Sequence, residues 1–378
     1  MTITMIMQLI EALKKIRVPH DSYLKAVKRM VNAIIAAAAG EMIVFVGPSR
    51  VGKSRCILEA CGLVFPENHE SYAPQATNEA TKRNNQQTIM PFVFVEAENA
   101  SKNGEFSTKA FMIECLKAIK HPIFGVAAPD DPWEVKINSI RHRTPERMLR
   151  EAFENALILR KVQVLVIDEA QHIEYVTGGR KAAAKVLNSW KCIANKCNVK
   201  IIFSGSYALL SLVSLAPHVI GRQRPIEFPR YRVDVLEDVV SWEEILTTLS
   251  KLVPSNGNEK ILCQWNKLLI KESIGCIGHL LRCLRATLGE MLAHDETVIT
   301  KNAIQRSCLP MPQLLAVTGE VEDGERFLQS WSLTDEGGNS SSKTTSDNQS
   351  EVTKKPRKPK KPKPFQRNAR RSPFKGRA

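Results

Sequence analysis

The sequence contains no Cys-x-x-Cys pair, although it has nine cysteines. Their number is odd, so any disulfide framework would leave at least one thiol unpaired. Zinc knuckles also use closely spaced cysteine pairs, and that spacing is missing here. The pattern therefore predicts reduced, mostly buried thiols, as in a cytoplasmic protein.

A targeting segment and a membrane span are also missing from the sequence. Residues 1–10 have neither a basic leading region nor an Ala-x-Ala cleavage site, so no signal peptide is predicted. The longest uncharged stretch is residues 201–221, and serines, a glycine, a proline and a histidine interrupt it. This stretch is predicted to be a buried strand followed by a short helix, so no membrane partner is expected.

Signatures of several enzyme classes are absent as well. No Ser-His-Asp order, no metal-ligand cluster and no carboxylate triad of a nucleotide transferase stands out. His172 and His279 are interpreted as structural rather than catalytic residues. The sequence thus offers no candidates for a triad hydrolase or for a metal-centred enzyme.

Positive charge is distributed unevenly along the chain. Lysine and arginine total 54 against 39 aspartates and glutamates, which gives a net charge of +15. Residues 351–378 contain 12 basic residues and one acid, and they are predicted to form a disordered basic tail. Residues 318–350 are polar and rich in small residues, which predicts a flexible linker between this tail and the rest of the chain.

The remaining residues show the pattern of an α/β protein. Short apolar, β-branched runs alternate with helical periodicity over residues 41–232, which predicts a parallel sheet flanked by helices. Strand signals then disappear, and four helical stretches predict a helical domain over residues 233–317. Residues 1–40 are predicted to be helical, with Asp21 or Ser22 as a helix cap. The predicted strands cover residues 42–46, 91–95, 162–167, 200–203 and 225–228.

A glycine-rich loop follows the first predicted strand and precedes a predicted helix. Its sequence fits G-x-x-x-x-G-K-[ST], a loop whose backbone N–H groups bind phosphate oxygens together with the helix N-terminus. Lys53 would reach the β- and γ-phosphates of ATP, and Ser54 would hold Mg²⁺. The alternative is a glycine-rich turn with an exposed lysine. The candidate nucleotide-binding residues are Gly47, Pro48, Ser49, Arg50, Val51, Gly52, Lys53 and Ser54.

Two carboxylates follow the third predicted strand. Ligands of open α/β sheets bind at the carboxyl ends of the strands, which is where Asp168 and Glu169 stand. Asp168 would bind Mg²⁺ directly or through water, and Glu169 would orient and polarise the attacking water. The alternative is an ordinary strand that enters an acidic turn.

Further candidates lie beyond these two motifs. Ser204 and Ser206 end the fourth predicted strand, where a polar side chain can contact the γ-phosphate or the water, although an ordinary turn is the alternative. Either Arg222 or Arg224 is predicted to serve as an arginine finger for a neighbour's nucleotide, unless this is a solvated or nucleic-acid-facing basic loop. Arg282 is predicted to touch the nucleotide from the helical domain, unless it is a solvated helix charge.

Taken together, these residues resemble the AAA+ ATPases, and within them the TniB/TnsC group of ATPase regulators of transposition. The resemblance covers about residues 15–310. Ser206 stands where threonine is usual for the group, and residues beyond 317 have no clear counterpart. The resemblance implies an AAA+ P-loop core over 41–232 and a helical lid domain over 233–317. It rests on the runs 23–54, 91–96 with 104–109, 168–172 and 201–206.

The resemblance also implies a function. Such proteins bind ATP and Mg²⁺, assemble on double-stranded DNA as rings or helical filaments, and link a target-recognition protein to the transposase. No DNA-cutting site is evident in the chain, so its role would be regulation and target choice. The alternatives are a nucleotide-gated scaffold with slow hydrolysis, and an AAA+ loader or motor in replication initiation or secretion.

Basic residues outside the motifs are candidates for contact with DNA. Lys102, Lys109, Arg141 and Arg143 would lie on DNA-facing loops, unless they are solvated surface charges. The tail at residues 351–378 suits non-specific contact with DNA phosphates, because its cations have almost no aromatic residues among them. Its alternatives are a docking peptide for an acidic partner protein and a disordered solubilising segment.

Overall fold

The structure is a computed structural model that describes residues 3–66, 89–98, 104–125, 139–216 and 224–333. Residues 1–332 form one compact unit, so the predicted boundaries at 40, 232 and 317 within it remain predictions. The basic tail, Arg222 and Lys102 lie outside the described residues.

Five parallel strands form a single sheet, which confirms the predicted α/β class. The strands are β1 Met42–Val46, β2 Phe92–Glu96, β3 Val164–Asp168, β4 Lys200–Gly205 and β5 Ile226–Glu227. Their order is β2-β3-β4-β1-β5, with each strand parallel to its neighbours. The carboxyl ends of all five strands therefore meet at one edge of the sheet.

Helices cover both faces of the sheet because its central strands are apolar on both sides. In β1, Met42, Val44 and Val46 pack in one hydrophobic core, whereas Ile43 and Phe45 pack in another. The helices before the last strand are α1 Ile3–Lys15, α2 Asp21–Ala36, α3 Lys53–Val64, α4 Thr108–Ala118, α5 Glu146–Leu159, α6 Gly179–Cys197 and α7 Ala208–Ser214. α2 and α3 pack against one face, and α4 to α7 against the other.

The helical region after β5 has its own hydrophobic core around Trp242 and Leu284. Ile6 and Leu13 of α1 belong to this core, although α2 packs on the sheet. The predicted N-terminal helical segment thus consists of two helices, and each packs in a different hydrophobic core. The remaining helices are α8 Leu236–Ser250, α9 Asn266–Glu272, α10 Ile277–Ala293, α11 Lys301–Ser307 and α12 Met311–Leu333.

Helix α12 corrects the predicted linker, because it occupies residues 318–333 of the segment 318–350. Its contacts lie on the sheet domain: Val321 is buried in the core that α4 to α7 share. The Arg230 guanidinium donates hydrogen bonds to both carboxylate oxygens of Glu325, at 2.8 and 3.1 Å. Local composition does not reveal such long-range contacts, so the polar sequence alone indicated a linker.

The start of α2 also differs from its prediction. His20, rather than Asp21 or Ser22, caps the helix: its Nδ1 accepts a hydrogen bond from the backbone N–H of Tyr23 at 3.2 Å. The same Nδ1 lies 2.6 Å from the hydroxyl of Tyr231. Burial lowers the pKa of His20 to about 4, against the opposing charge of Asp21. Nδ1 can accept the hydrogen bond from Tyr23 only when it carries no proton, and the low pKa keeps the ring neutral near pH 7.

Acidification is expected to destabilise the protein between about pH 6.5 and pH 4. A histidine whose pKa is lower in the folded chain binds its proton preferentially in the unfolded chain, so stability falls with pH in this window. The loss reaches up to about 1.4 kcal/mol per pH unit for each such histidine. Urea unfolding at a series of pH values measures it. His20→Asn keeps a good helix cap and is expected to flatten the dependence; an equal slope in both proteins would contradict this assignment.

The nine cysteines are free in the structure, and six of them are buried. Among the described residues, no helix combines the length and the apolar character needed to cross a bilayer.

Candidate nucleotide-binding site

The glycine-rich loop connects the end of β1 to the start of α3, as predicted from its sequence. Gly47 lies so close to the residue after β5 that a Cβ at Gly47 would be 2.4 Å from the carbonyl oxygen of Phe228. Gly52 precedes the helix with φ 113°, and Arg50 also has a positive φ of 63°. These two positions turn the backbone directly before α3 begins.

Lys53 lies inside this loop. The residue is 5% exposed, and its Nζ donates hydrogen bonds to the carbonyl oxygens of Gly47 and Pro48 at 3.0 and 2.9 Å. Burial lowers the pKa of Lys53, and the carboxylates of Glu169 and Asp168 act in the opposite direction. This geometry excludes the alternative of a glycine-rich turn with an exposed lysine.

Asp168 ends β3 at the same edge of the sheet. The residue is 3% exposed, and its Oδ1 is buried without a hydrogen-bond partner among the described residues. The hydroxyl of Ser204 on the next strand is likewise buried and unpartnered in the described chain. Leaving such groups unsatisfied costs about 1–3 kcal/mol each, so they point to a ligand at this edge.

A third carboxylate lies beside Asp168. Glu96 of β2 is in register with Asp168, and its pKa is raised by partial burial and then by the charges of Asp168, Glu98 and Glu169. Clustered carboxylates repel one another and are relieved by a cation. Sequence reasoning did not select Glu96, because its proximity to Asp168 depends on the pairing of β2 with β3.

Glu169 follows Asp168 in the left-handed backbone region, with φ 51°. Its Oε2 accepts a hydrogen bond from Nε2 of Gln171 at 2.5 Å. Oε1 of Gln171 accepts a hydrogen bond from the backbone N–H of Ser206 at 3.2 Å. Gln171 thus joins the ends of β3 and β4, a role that sequence reasoning missed although the run of residues 168–172 was singled out.

The helical region closes over the glycine-rich loop. The backbone N–H of Gly278 in α10 donates to the carbonyl oxygen of Arg50 at 3.0 Å. A Cβ at Gly278 would lie 2.5 Å from that oxygen, so this approach requires glycine. A cavity next to the loop is lined by residues of the loop, of the β4 end, of the helical region and of α12, among them Pro48, Ser49, Ser206, Cys276, His279, Val317 and Glu320.

Arg282 and His279 lie on α10. His279 lines the cavity. Burial is the main cause that lowers the pKa of His279 to about 4, and the positive charges of Arg50 and Arg282 lower it further. Arg282 is itself exposed. Arg282 is close enough to His279 for its charge to act on that ring, and its contact with a nucleotide remains a prediction.

Four arginines follow β4 in the sequence, at positions 222, 224, 230 and 232. Arg230 is paired with Glu325, and Arg232 lies 3.9 Å from Asp238. Arg224 is exposed just before β5. Because Arg222 lies outside the described residues, the choice between Arg222 and Arg224 as the arginine finger remains open.

One candidate for contact with DNA is wrong. Arg141 is 1% exposed and its Nε donates to the carbonyl oxygen of Phe124 at 2.9 Å, so it has a structural role. The Nζ of Lys109 donates to the carbonyl oxygen of His142 at 2.6 Å. Arg143 is exposed and remains a candidate.

Comparisons with known proteins support the fold. Residues 37–213 match the family model described as "AAA domain". No curated protein sequence matches the chain. Among solved structures, the ADP form of ORC2 from Aeropyrum pernix is similar with a TM-score of 0.50 and 10% identity, over 79% of this chain and 71% of that one.

Two further solved structures are reported with similarity to this chain. Aeropyrum pernix ORC1 in complex with DNA has a TM-score of 0.49 and 14% identity, over 77% of this chain and 65% of that one. Cdc6p from Pyrobaculum aerophilum has a TM-score of 0.49 and 11% identity, over 86% of this chain and 88% of that one. The chain described here has the AAA+ P-loop fold, with a five-stranded parallel sheet and a helical C-terminal region.

Proposed function

We propose that the chain is an ATPase that assembles on double-stranded DNA and couples target-site selection to a transposase. One observation carries the ATPase part: a buried lysine inside a phosphate-type loop lies near a buried aspartate whose Oδ1 has no partner among the described residues. A lysine and a carboxylate in this arrangement can bind a nucleoside triphosphate and its metal ion.

The residues at the sheet edge fit a Mg²⁺ ion. Ser54 and Asp168 would hold it, because a hydroxyl and a carboxylate are oxygen ligands of the kind that Mg²⁺ prefers. When bound, the ion would neutralise charge on the β- and γ-phosphates. The unpartnered Oδ1 of Asp168 and the clustered carboxylates support this assignment.

The protein groups would then divide the work of hydrolysis. Lys53 would exchange its carbonyl partners for phosphate oxygens, which stabilises charge as the γ-phosphoryl group departs. Glu169 would accept a hydrogen bond from the attacking water and orient it towards phosphorus. Ser206 at the end of β4 would contact the γ-phosphate or that water.

Phosphate release from ATP by the full chain tests this part of the proposal. We expect release that requires Mg²⁺ and is stimulated by double-stranded DNA. Inclusion of EDTA is the control, because the donor set of Ser54 and Asp168 implies that the phosphates need a metal ion. Release that is unaffected by EDTA, or absent under every condition, would contradict the ATPase assignment.

An arginine finger would make hydrolysis depend on neighbouring protomers. Arg224→Ala, and Arg222→Ala tested in parallel, should leave ATP binding intact but lower hydrolysis by up to about 10³-fold if the finger is typical. Mixing the affected variant with Lys53→Ala protein should restore part of the activity, because each supplies the group that the other lacks. If every mixture stays inactive although mixed assembly is demonstrated, shared sites are excluded.

The DNA and transposition parts of the proposal have a different support. They rest on the resemblance of the sequence to the TniB/TnsC group and on the net charge of +15, much of it in the tail. A fold shared with ORC and Cdc6 proteins does not discriminate, so a scaffold role, or a loader or motor role in replication initiation or secretion, stays as an alternative. A transposase gene adjacent to this one would favour transposition.

The basic tail would add DNA affinity without sequence preference. The predicted partner of the tail is DNA or an acidic protein. The tail residues themselves lie outside the described part of the chain. If DNA is the partner, removal of residues 351–378 should lower the salt dependence of DNA affinity and leave ATP binding unchanged.

A further inference from the structure

We infer that Gln171 is a positioning residue that holds Glu169 in place for the activation of water and ties it to the end of β4. This role rests on the proposed ATP hydrolysis. Gln171 lies in the 3₁₀ segment Ala170–Tyr175, directly after β3. Its side chain makes two hydrogen bonds, to the Glu169 carboxylate and from the Ser206 backbone.

The two hydrogen bonds fix the orientation of the Gln171 amide. An ionised carboxylate only accepts hydrogen bonds, so the NH₂ group must face Glu169. A backbone N–H only donates, so the carbonyl oxygen must face Ser206. Glutamine is the side chain of this length that satisfies both, because glutamate has no donor when ionised and leucine has neither group.

The neighbouring backbone is shaped around this side chain. A Cβ at Gly205 would lie 2.1 Å from Oε1 of Gln171, so the bond to Ser206 requires glycine at position 205. The segment itself is anchored on its other side, where Nδ1 of His172 lies 2.7 Å from the carbonyl oxygen of Ala97, just beyond β2. Gln171 is therefore held from both sides while it contacts Glu169.

This arrangement has a consequence for catalysis. A free glutamate side chain samples several rotamers, and only some of them direct the carboxylate at the attacking water. The hydrogen bond from Gln171 restricts Glu169, and the bond from Ser206 links that restriction to the strand end proposed to contact the γ-phosphate. Gln171 thus acts on the chemical step through Glu169, and it makes no contribution to nucleotide affinity.

Two substitutions separate this role from a merely structural one. Gln171→Leu removes both hydrogen bonds at similar volume and should lower kcat by about 10- to 100-fold, while KM and the Kd for ATP stay within about twofold. Gln171→Glu keeps the acceptor for Ser206 but places a second carboxylate against Glu169. An ionised carboxylate offers Glu169 no donor, so this variant isolates the loss of that hydrogen bond. It should lower kcat at least about as much as Gln171→Leu does, with the Kd for ATP again within about twofold.

The experiment is steady-state phosphate release by the full chain with Mg²⁺ and double-stranded DNA over a range of ATP concentrations, with the Kd for ATP measured on the same preparations. Both variants should lose kcat, while KM and the Kd stay within about twofold of the wild-type values. Gln163→Leu is the matched control, because this exposed glutamine precedes β3 at the opposite end of the strand. It should behave as wild type.

The outcomes separate this inference from the proposed function. If the wild type releases phosphate and Gln171→Leu matches it in kcat, or loses ATP affinity in proportion to rate, the positioning role is wrong while ATP hydrolysis stands. If Gln171→Leu does not fold, a wild-type kcat in Gln171→Glu overturns the role by itself. If the wild type releases no phosphate under any condition, both the hydrolysis and the role of Gln171 are overturned.

Discussion

Lys53→Ala is expected to lower the affinity for ATP by at least about 100-fold, because charge-assisted hydrogen bonds of this kind contribute about 1.5–3 kcal/mol each. The ammonium is buried within the glycine-rich loop, where its present partners are two backbone carbonyl oxygens. ATP would supply phosphate oxygens in their place. A methyl group can replace neither the charge nor the hydrogen bonds, and assembly on DNA should be lost together with binding.

Titration of a fluorescent ATP analogue measures this effect. Lys185→Ala is the matched control, since Lys185 is an exposed lysine on α6, and it should bind ATP as the wild type does. Circular dichroism establishes whether the Lys53 variant folds. A folded Lys53→Ala protein with wild-type affinity would show that the nucleotide site lies elsewhere.

Glu169→Gln is expected to have a different effect, with ATP binding retained and hydrolysis lowered by about 10²- to 10⁴-fold. The amide has the same shape but loses the charge that orients and polarises water. Complexes with ATP should therefore be long-lived, and assemblies on DNA should persist. Phosphate release and ATP affinity are measured on the same protein preparation.

Glu259→Gln is the matched control for this second variant. Glu259 is an exposed carboxylate of the helical region and belongs neither to the sheet edge nor to its carboxylate cluster. It should hydrolyse ATP at the wild-type rate. Normal turnover by Glu169→Gln would assign the activation of water to another group.

The parts of the site that were predictable are encoded in short stretches of sequence. The loop at residues 47–54 has fixed glycines because its backbone turns and approaches Phe228 closely, and these demands leave a local pattern. Asp168 and Glu169 follow an apolar run, so their position at the end of a strand was also evident. The parallel sheet followed from the alternation of strand and helix signals.

The parts that were not predictable depend on contacts between distant residues. His20 caps α2 because Tyr231 lies 2.6 Å away, more than 200 residues later in the chain. Residues 318–333 of α12 were expected to belong to a linker because that part of the sequence is polar, and the pairing of Glu325 with Arg230 is not visible locally. Arg141 was interpreted as a surface charge, whereas tertiary packing buries it.

The helical region adds a further contact that sequence patterns do not reveal. Gly278 at the start of α10 donates to Arg50 within the loop, so the helical region and the phosphate-binding loop touch directly. A nucleotide that moves the loop would therefore also change the position of the helical region.

Electron microscopy of the full chain with double-stranded DNA tests whether ATP controls assembly on DNA. With a slowly hydrolysed ATP analogue and Mg²⁺, rings or helical filaments are expected on the DNA. With ADP, or with Lys53→Ala protein and the analogue, no such assemblies are expected. Assemblies of equal abundance with ADP, or the absence of any assembly with the ATP analogue, would contradict an ATP-dependent switch on DNA.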